Sequence, residues 1–213
     1  MFRLGVIIPS KNEFESLRKI VKKLQKKKVK FIIINDGSTD DTNEYLIKNK
    51  INHIKNRVSI GYTKSILKGI VYFKSRNIKY ILTMDADGEH DVSYLTKFKK
   101  KLKKKNYDLI IANRYHKNRI SEKTISLFTK RKFDIEDPLS GFKLYKLKTI
   151  LKNLKYISKN NFFVDYMAFL IKEKYQVINI NYKNRKVTNR KSRIGNKFIV
   201  NIKIMLMLRF FYN

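Results

Sequence analysis

The chain has 213 residues, 50 of them Lys or Arg against 17 Asp or Glu, for a formal charge of +33. A content of 43% hydrophobic and 13% aromatic residues is that of a folded domain, long enough for a substantial core, and excludes a disordered polyelectrolyte. The absence of cysteine excludes a disulfide framework, zinc-finger ligands and a thiol nucleophile, and leaves the cytosol as the default compartment.

In chain order, Arg3 to Ile8 reads as a buried strand stopped by Pro9. The opening Met1 to Pro9 is too short for a secretory signal and runs straight into the strand pattern. After Ser10-Lys11-Asn12-Glu13 the period becomes helical, with Leu17, Ile20, Val21 and Leu24 on one face. Ser10 or Asn12 is placed to cap that helix. Phe31 to Ile34 is a second strand without polar alternation, which implies burial on both faces, as in a parallel sheet covered by helices. It ends in Asn35-Asp36-Gly37-Ser38-Thr39-Asp40-Asp41-Thr42, a turn that leads into a helix over Thr42 to Lys48.

Ile51 to Ile54 forms a short strand, and Gly61 opens a helix whose inner face carries Tyr62, Ile66, Ile70 and Phe73. Tyr80 to Met84 is a strand that ends in Asp85-Ala86-Asp87-Gly88-Glu89-His90-Asp91, which holds four of the 17 acidic residues. Two carboxylates two residues apart at a strand end suit Mg²⁺ or Mn²⁺, which take oxygen ligands and complete their shell with substrate phosphates. Asp91 is placed to cap the helix that runs from Val92 to about Lys104, with Leu95, Phe98 and Leu102 inward. Tyr107 to Ala112 is a further strand. Tyr115 to Glu136 lacks periodicity and reads as a lid, a binding loop or disorder. Asp137 to Phe142 is a turn, Lys143 to Tyr145 follows it, Val164 to Ile171 is a helix and Val177 to Tyr182 a last strand.

Strand and helix alternate throughout, so the expected fold is a doubly wound α/β domain with a mostly parallel sheet flanked by helices. Ligands bind such sheets beyond the carboxyl ends of the strands, where the clusters at Pro9 to Glu13, Asn35 to Thr42 and Asp85 to Asp91 all fall. The α/β domain is expected to span residues 1–197. Residues 198–213 are an apolar and basic tail that either lies in a headgroup layer as an interfacial helix or packs on its own domain. The positive field suits polyanions, whether nucleic acid, phosphorylated substrates or an anionic membrane face, unless the lysine runs are simply a solvated face. No pattern of a specific nucleic-acid module is present.

The three rim clusters, with Ala112-Asn113-Arg114-Tyr115, Asp137-Pro138-Leu139-Ser140-Gly141-Phe142-Lys143 and Arg193-Ile194-Gly195-Asn196-Lys197, resemble the family 2 glycosyltransferases of GT-A fold, nearest the dolichyl-phosphate mannose or glucose synthase branch. The resemblance runs from Val6 to Lys197. It implies a nucleoside-diphosphate sugar donor, a divalent cation (Mg²⁺ or Mn²⁺), inversion at the sugar, and a polyprenyl phosphate or a glycan hydroxyl as acceptor. Pro9, Glu13, Ile34 and Asp36 then line the nucleotide pocket, with Lys11 where the family often has tyrosine. Asp85, Ala86 and Asp87 hold metal and diphosphate, with Glu89 in place of the usual glutamine as a further metal ligand. Arg114 contacts phosphate, as do Arg193 (or Arg190) and Lys197. Asp137 is the candidate base for a hydroxyl acceptor, and it only positions an acceptor that is already a phosphate anion. Asp165 falls near an acidic position of the family. A sugar-phosphate nucleotidyltransferase would need a glycine-rich N-terminal loop, which Pro9 to Glu13 lacks. The other class kept open is a basic nucleic-acid or membrane-binding module on a non-catalytic GT-A domain.

Overall fold

A computed structural model describes residues 3–117, 120–157 and 164–185. Its sheet has seven strands: β1 (Leu4–Ser10), β2 (Lys30–Asp36), β3 (His53–Asn56), β4 (Tyr80–Thr83), β5 (Leu109–Arg114), β6 (Lys143–Lys146) and β7 (Val177–Tyr182). They lie in the order β3-β2-β1-β4-β6-β5-β7. All run parallel except β6, which is antiparallel to both β4 and β5. The doubly wound, mostly parallel expectation holds, and the reversal of β6 is what the sequence pattern does not show.

Helices cover both faces, because successive strand residues point to opposite sides and both sides are apolar. Val6, Ile8, Ile33, Leu82, Ile110 and Leu144 face one layer. That layer contains α1 (Phe14–Lys26), α2 (Thr42–Lys48) and α4 (Leu95–Lys104). Ile7, Ile32, Ile34, Ile81, Leu109, Ile111 and Tyr145 face the other. There they meet α3 (Tyr62–Lys74), α5 (Ile120–Phe133), α6 (Leu147–Lys152) and α7 (Val164–Lys172).

Several boundaries move. β1 runs through Pro9 instead of stopping there. The Ile7 carbonyl accepts from Met84 N–H on the β4 side, and β4 has ended by the time Pro9 faces that side, so its missing N–H leaves no bond unmade. The stretch expected as a loop, Tyr115 to Glu136, contains the 14-residue α5. Its inward positions Glu122, Ile125, Ser126 and Thr129 stand at helical spacing, but three of the four are polar, so no hydrophobic stripe announces them. The first helix is not capped by Ser10 or Asn12: Phe14 N–H donates to the Asp40 carboxylate at 3.1 Å from the neighbouring loop. Among the described residues no helix is long and apolar enough to cross a membrane. The tail 198–213 lies outside the described residues.

Candidate active site

Parallel strands bring their carboxyl ends to one rim. The reversed β6 brings its preceding turn there as well. Pro9 pairs with Ile34 and Ser10 with Asn35, so the loops after β1 and β2 leave the sheet side by side. They are stitched together where the Asn12 side chain accepts from Thr39 N–H at 2.8 Å, and Asn12 N–H donates to Ser38 Oγ at 3.0 Å. Lys11 and Glu13 are half-buried on this stitched edge. Ile34 is fully buried in the core beneath it, so only its main chain can face a ligand.

Asp36 ends β2 and is 6% exposed. Its carboxylate accepts from Asn56 Nδ2, Ser59 Oγ, Ile60 N–H and Gly61 N–H, all between 2.8 and 3.0 Å. Burial opposes its ionisation, but the Ile60 amide and the other three donors outweigh that, and its pKa falls below the usual carboxylate value. Both Asp36 oxygens are thus occupied in shaping the 56–61 loop that forms one wall of the rim.

The acidic turn follows β4. Gly88 adopts φ +86°, a conformation that side chains rarely take, and so closes the turn tightly. Asp87 accepts from Glu89 N–H at 2.9 Å. From α1, Ser16 donates its hydroxyl to the Ala86 carbonyl at 2.6 Å. His90 is 3% exposed, stacks on Phe142 at 4.7 Å, and accepts from Asp85 N–H through Nδ1 at 2.9 Å. The Nε2–H tautomer this requires faces the Asp85 carboxylate at 3.7 Å. Burial pushes the imidazole down to about 4 despite the charges of Asp87 and Glu89. His90 is therefore a neutral brace for the turn, which the sequence suggested by adjacency alone. Arg185, just past β7, pairs with Asp91 at 2.7 Å and donates its N–H to the Glu89 carbonyl. Asp91 caps the following turn through Ser93 N–H, as expected. An open cleft of about 740 Å³ lies between α1 and this turn, lined among others by Glu13, Ser16, Lys19, Asp87 and Arg185.

Across the rim stands Arg114, at the end of β5. Asp137 grips it bidentately, Nε to Oδ2 at 2.8 Å and Nη2 to Oδ1 at 3.0 Å, and also accepts its backbone N–H. Glu122 from α5 lies 3.5 Å from Nη1. Asp137 is 1% exposed. Burial raises its pKa, but the Arg114 guanidinium beside it more than compensates and holds the carboxyl below its ordinary range. Arg114 is correspondingly held charged against its own burial. Glu122 carries no sequence signal beyond the spacing noted above.

Gly141 joins the two sides. A Cβ there would come within 2.4 Å of an Asp85 carboxylate oxygen. Gly141→Ala should therefore push Asp85 aside while leaving the core intact. Turnover should fall about 10- to 100-fold for a displacement of this kind, with a melting temperature within a few degrees of the parent; unchanged turnover would refute the close packing.

Among the described residues no three acidic or histidine side chains converge tightly enough to hold an ion unaided. The turn's donors are nevertheless hard oxygens crowded with like charge. The Glu89 pKa is raised, first by burial and then by Asp87, with Asp85 adding to it. A cation would relieve that repulsion, so the residues fit Mg²⁺ or Mn²⁺ if phosphate oxygens complete the shell. Arg193, the alternative Arg190, and Lys197 lie outside the described residues.

The model of the glycosyl transferase family 2 matches residues 5–179. The chain belongs to that family. It is a glycosyltransferase, and every described rim residue named above except Arg185 lies within the matched span. An uncharacterized protein of Methanocaldococcus jannaschii is 32% identical over an alignment of 170 positions that covers 70% of this chain and 74% of that protein. A second uncharacterized protein of the same organism is 32% identical over 113 residues; that match spans 51% of this chain and less than half, 45%, of its relative. Among solved structures, glucosyl-3-phosphoglycerate synthase from Mycobacterium tuberculosis in complex with phosphoglyceric acid superposes with a TM-score of 0.74 at 14% identity, covering 98% of this chain and 80% of that one. The same enzyme with Mn²⁺, UDP-glucose and glycerol 3-phosphate gives 0.70 at 14% identity, over 96% and 79% of the two chains. At that identity the likeness establishes the GT-A fold for this glycosyltransferase.

Proposed function

We propose that this glycosyltransferase moves a sugar, with inversion, from a nucleoside-diphosphate sugar to an acceptor that presents a phosphate, of which a polyprenyl phosphate is the reading carried from the sequence. The observation that carries it is the facing of the Asp85–Asp87 turn and a buried, permanently charged Arg114 across one rim, with Gly141 clearing space for the Asp85 carboxylate. Asp85 and Asp87, with Glu89 beside them, would hold Mg²⁺ or Mn²⁺, which when bound supplies Lewis-acid neutralisation of the departing diphosphate. Arg114 adds a fixed positive charge where the leaving group gathers negative charge. Pro9, Lys11, Glu13 and the main chain at Ile34 border the nucleotide, and Asp36 supports them through the 56–61 loop. Arg193 and Lys197 would add cations from the segment after β7.

Asp137 bears on the choice of acceptor. A general base needs an accessible lone pair and a pKa near the working pH. Asp137 is buried, acidic and gripped by Arg114, so its role here is to hold that arginine. A phosphate acceptor, already an anion, needs no base. The solved neighbour that holds Mn²⁺ and UDP-glucose together with phosphoglyceric acid supports an acceptor that bears a phosphate, but that molecule also offers a hydroxyl and so does not bear on the need for a base. A hydroxyl acceptor would need another base, and Asp165, at the start of α7 and within electrostatic range of Lys143 and Tyr145, is the residue to test.

The experiment is release of nucleoside diphosphate from a panel of UDP-, GDP- and other sugar nucleotides with Mn²⁺ or Mg²⁺, with and without a polyprenyl phosphate or phosphoglycerate. Stimulation by the polyprenyl phosphate names the donor and supports the reading, whereas stimulation by phosphoglycerate alone keeps a phosphate-bearing acceptor but requires a base for its hydroxyl. Stimulation by glycan hydroxyls alone would overturn the phosphate acceptor, and turnover that survives a chelator would overturn the cation. Vesicle co-sedimentation with anionic lipid tests peripheral attachment to the cytoplasmic membrane face.

A further inference from the structure

Lys143 is 2% exposed, and no other lysine among the described residues is buried. It sits on β6 opposite Thr83, and its side chain points to the same face as Tyr145, into the layer of α3 and α7. An apolar side chain would serve the packing there. Replacing buried charges by apolar groups of similar size is often neutral or stabilising, so a buried ammonium needs a reason beyond stability. Its Nζ donates to the Pro138 carbonyl at 2.7 Å. Burial lowers its pKa to about 8, against the opposing pull of Asp137. Asp85 and Asp165 also attract it, and Arg114 repels it.

Pro138 directly follows the aspartate that grips Arg114. The same short turn is closed by Ser140 N–H on the Asp137 carbonyl and by Phe142 N–H on Ser140 Oγ. Thr83 pins its far end, its hydroxyl donating to the Gly141 carbonyl at 2.7 Å while accepting from Lys143 N–H. Proline itself offers no N–H, so its carbonyl is the only main-chain handle at that point.

We propose that Lys143 is a positioning residue: its buried ammonium holds the Pro138 carbonyl and so fixes the Asp137–Gly141 turn, which sets both the Arg114 guanidinium and the clearance for Asp85. This rests on the glycosyltransfer chemistry placed at that rim. Lys143 touches no reacting atom; it acts through Asp137 and Gly141.

The test is Lys143→Met, with Lys143→Gln carrying it if the methionine variant does not fold. Two readouts are taken on the full chain. Hydrogen exchange at Ser140 and Phe142 should quicken about tenfold or more while α1 amides are unchanged. In the donor assay kcat should fall on the order of 10²-fold with the donor KM little changed, because the loss is of orientation at the reacting centre. Unchanged exchange in the turn overturns the anchoring. Quickened exchange with parental kcat overturns the catalytic consequence. If the unsubstituted protein turns over no donor, the proposed reaction fails, and the exchange data still decide whether Lys143 holds the turn.

Discussion

Arg114→Met should both unfold the rim and silence the enzyme. The substitution takes the guanidinium from Glu122 and from the buried Asp137, which keeps only the longer-range charges of Lys117 and Lys143, and breaking a buried pair costs about 3–5 kcal/mol. In a domain of this size that is a fall in melting temperature of roughly 10 °C. The pH dependence should also change sign. In the parent, the depressed Asp137 pKa contributes stability that is present above the unfolded carboxylate value, near 4, and is lost as pH falls through the lower folded value. Without Arg114 the buried carboxyl is pushed upward, the folded state binds the extra proton, and stability falls as pH rises. Thermal melts of both proteins at pH 5 and pH 8 check this: the variant should come closer to the parent at pH 5. A variant as stable as the parent at pH 8 would show that the bidentate pair contributes little.

Asp87→Asn is expected to reduce metal-dependent turnover by about 10²–10³-fold with little effect on folding. The amide keeps an oxygen that can accept from Glu89 N–H, so the turn retains its local bond. What disappears is a negative charge that would draw the proposed cation to the turn. The measurement is product release against Mn²⁺ concentration, with melting temperature as the control. Parental turnover in the variant would remove Asp87 from the site, whereas activity regained at much higher Mn²⁺ would place the residue on the cation.

The sheet was legible because its strands are unbroken apolar runs, such as Phe31 to Ile34 and Leu109 to Ala112. The rim was legible because polar clusters follow those runs. Less could be seen of what holds the rim in shape. α5 hides because Glu122, Ser126 and Thr129 fill inward positions where periodicity looks for apolar side chains. α6 follows β6 without any turn residue between Lys146 and Leu147. The Arg114–Asp137 grip spans 23 positions of chain, and no local pattern predicts a partner at that distance. Lys143 is one of 50 basic residues, and a lysine in such a sequence reads as surface.

The reversed strand divides the sheet into two sets of consecutive segments, β3-β2-β1-β4 and β6-β5-β7, which meet where Tyr80–Thr83 pairs with Lys143–Lys146. The acidic turn grows from one set, and Arg114, Asp137 and Gly141 from the other, so neither half possesses a site. Sheet register along this join therefore sets the geometry of the proposed site: a slip of one residue between Leu82 and Leu144 would turn Lys143 and Phe142 each to the other face and carry Gly141 away from Asp85. On the proposed reading, changes that loosen the join would act as active-site mutations without altering any rim residue.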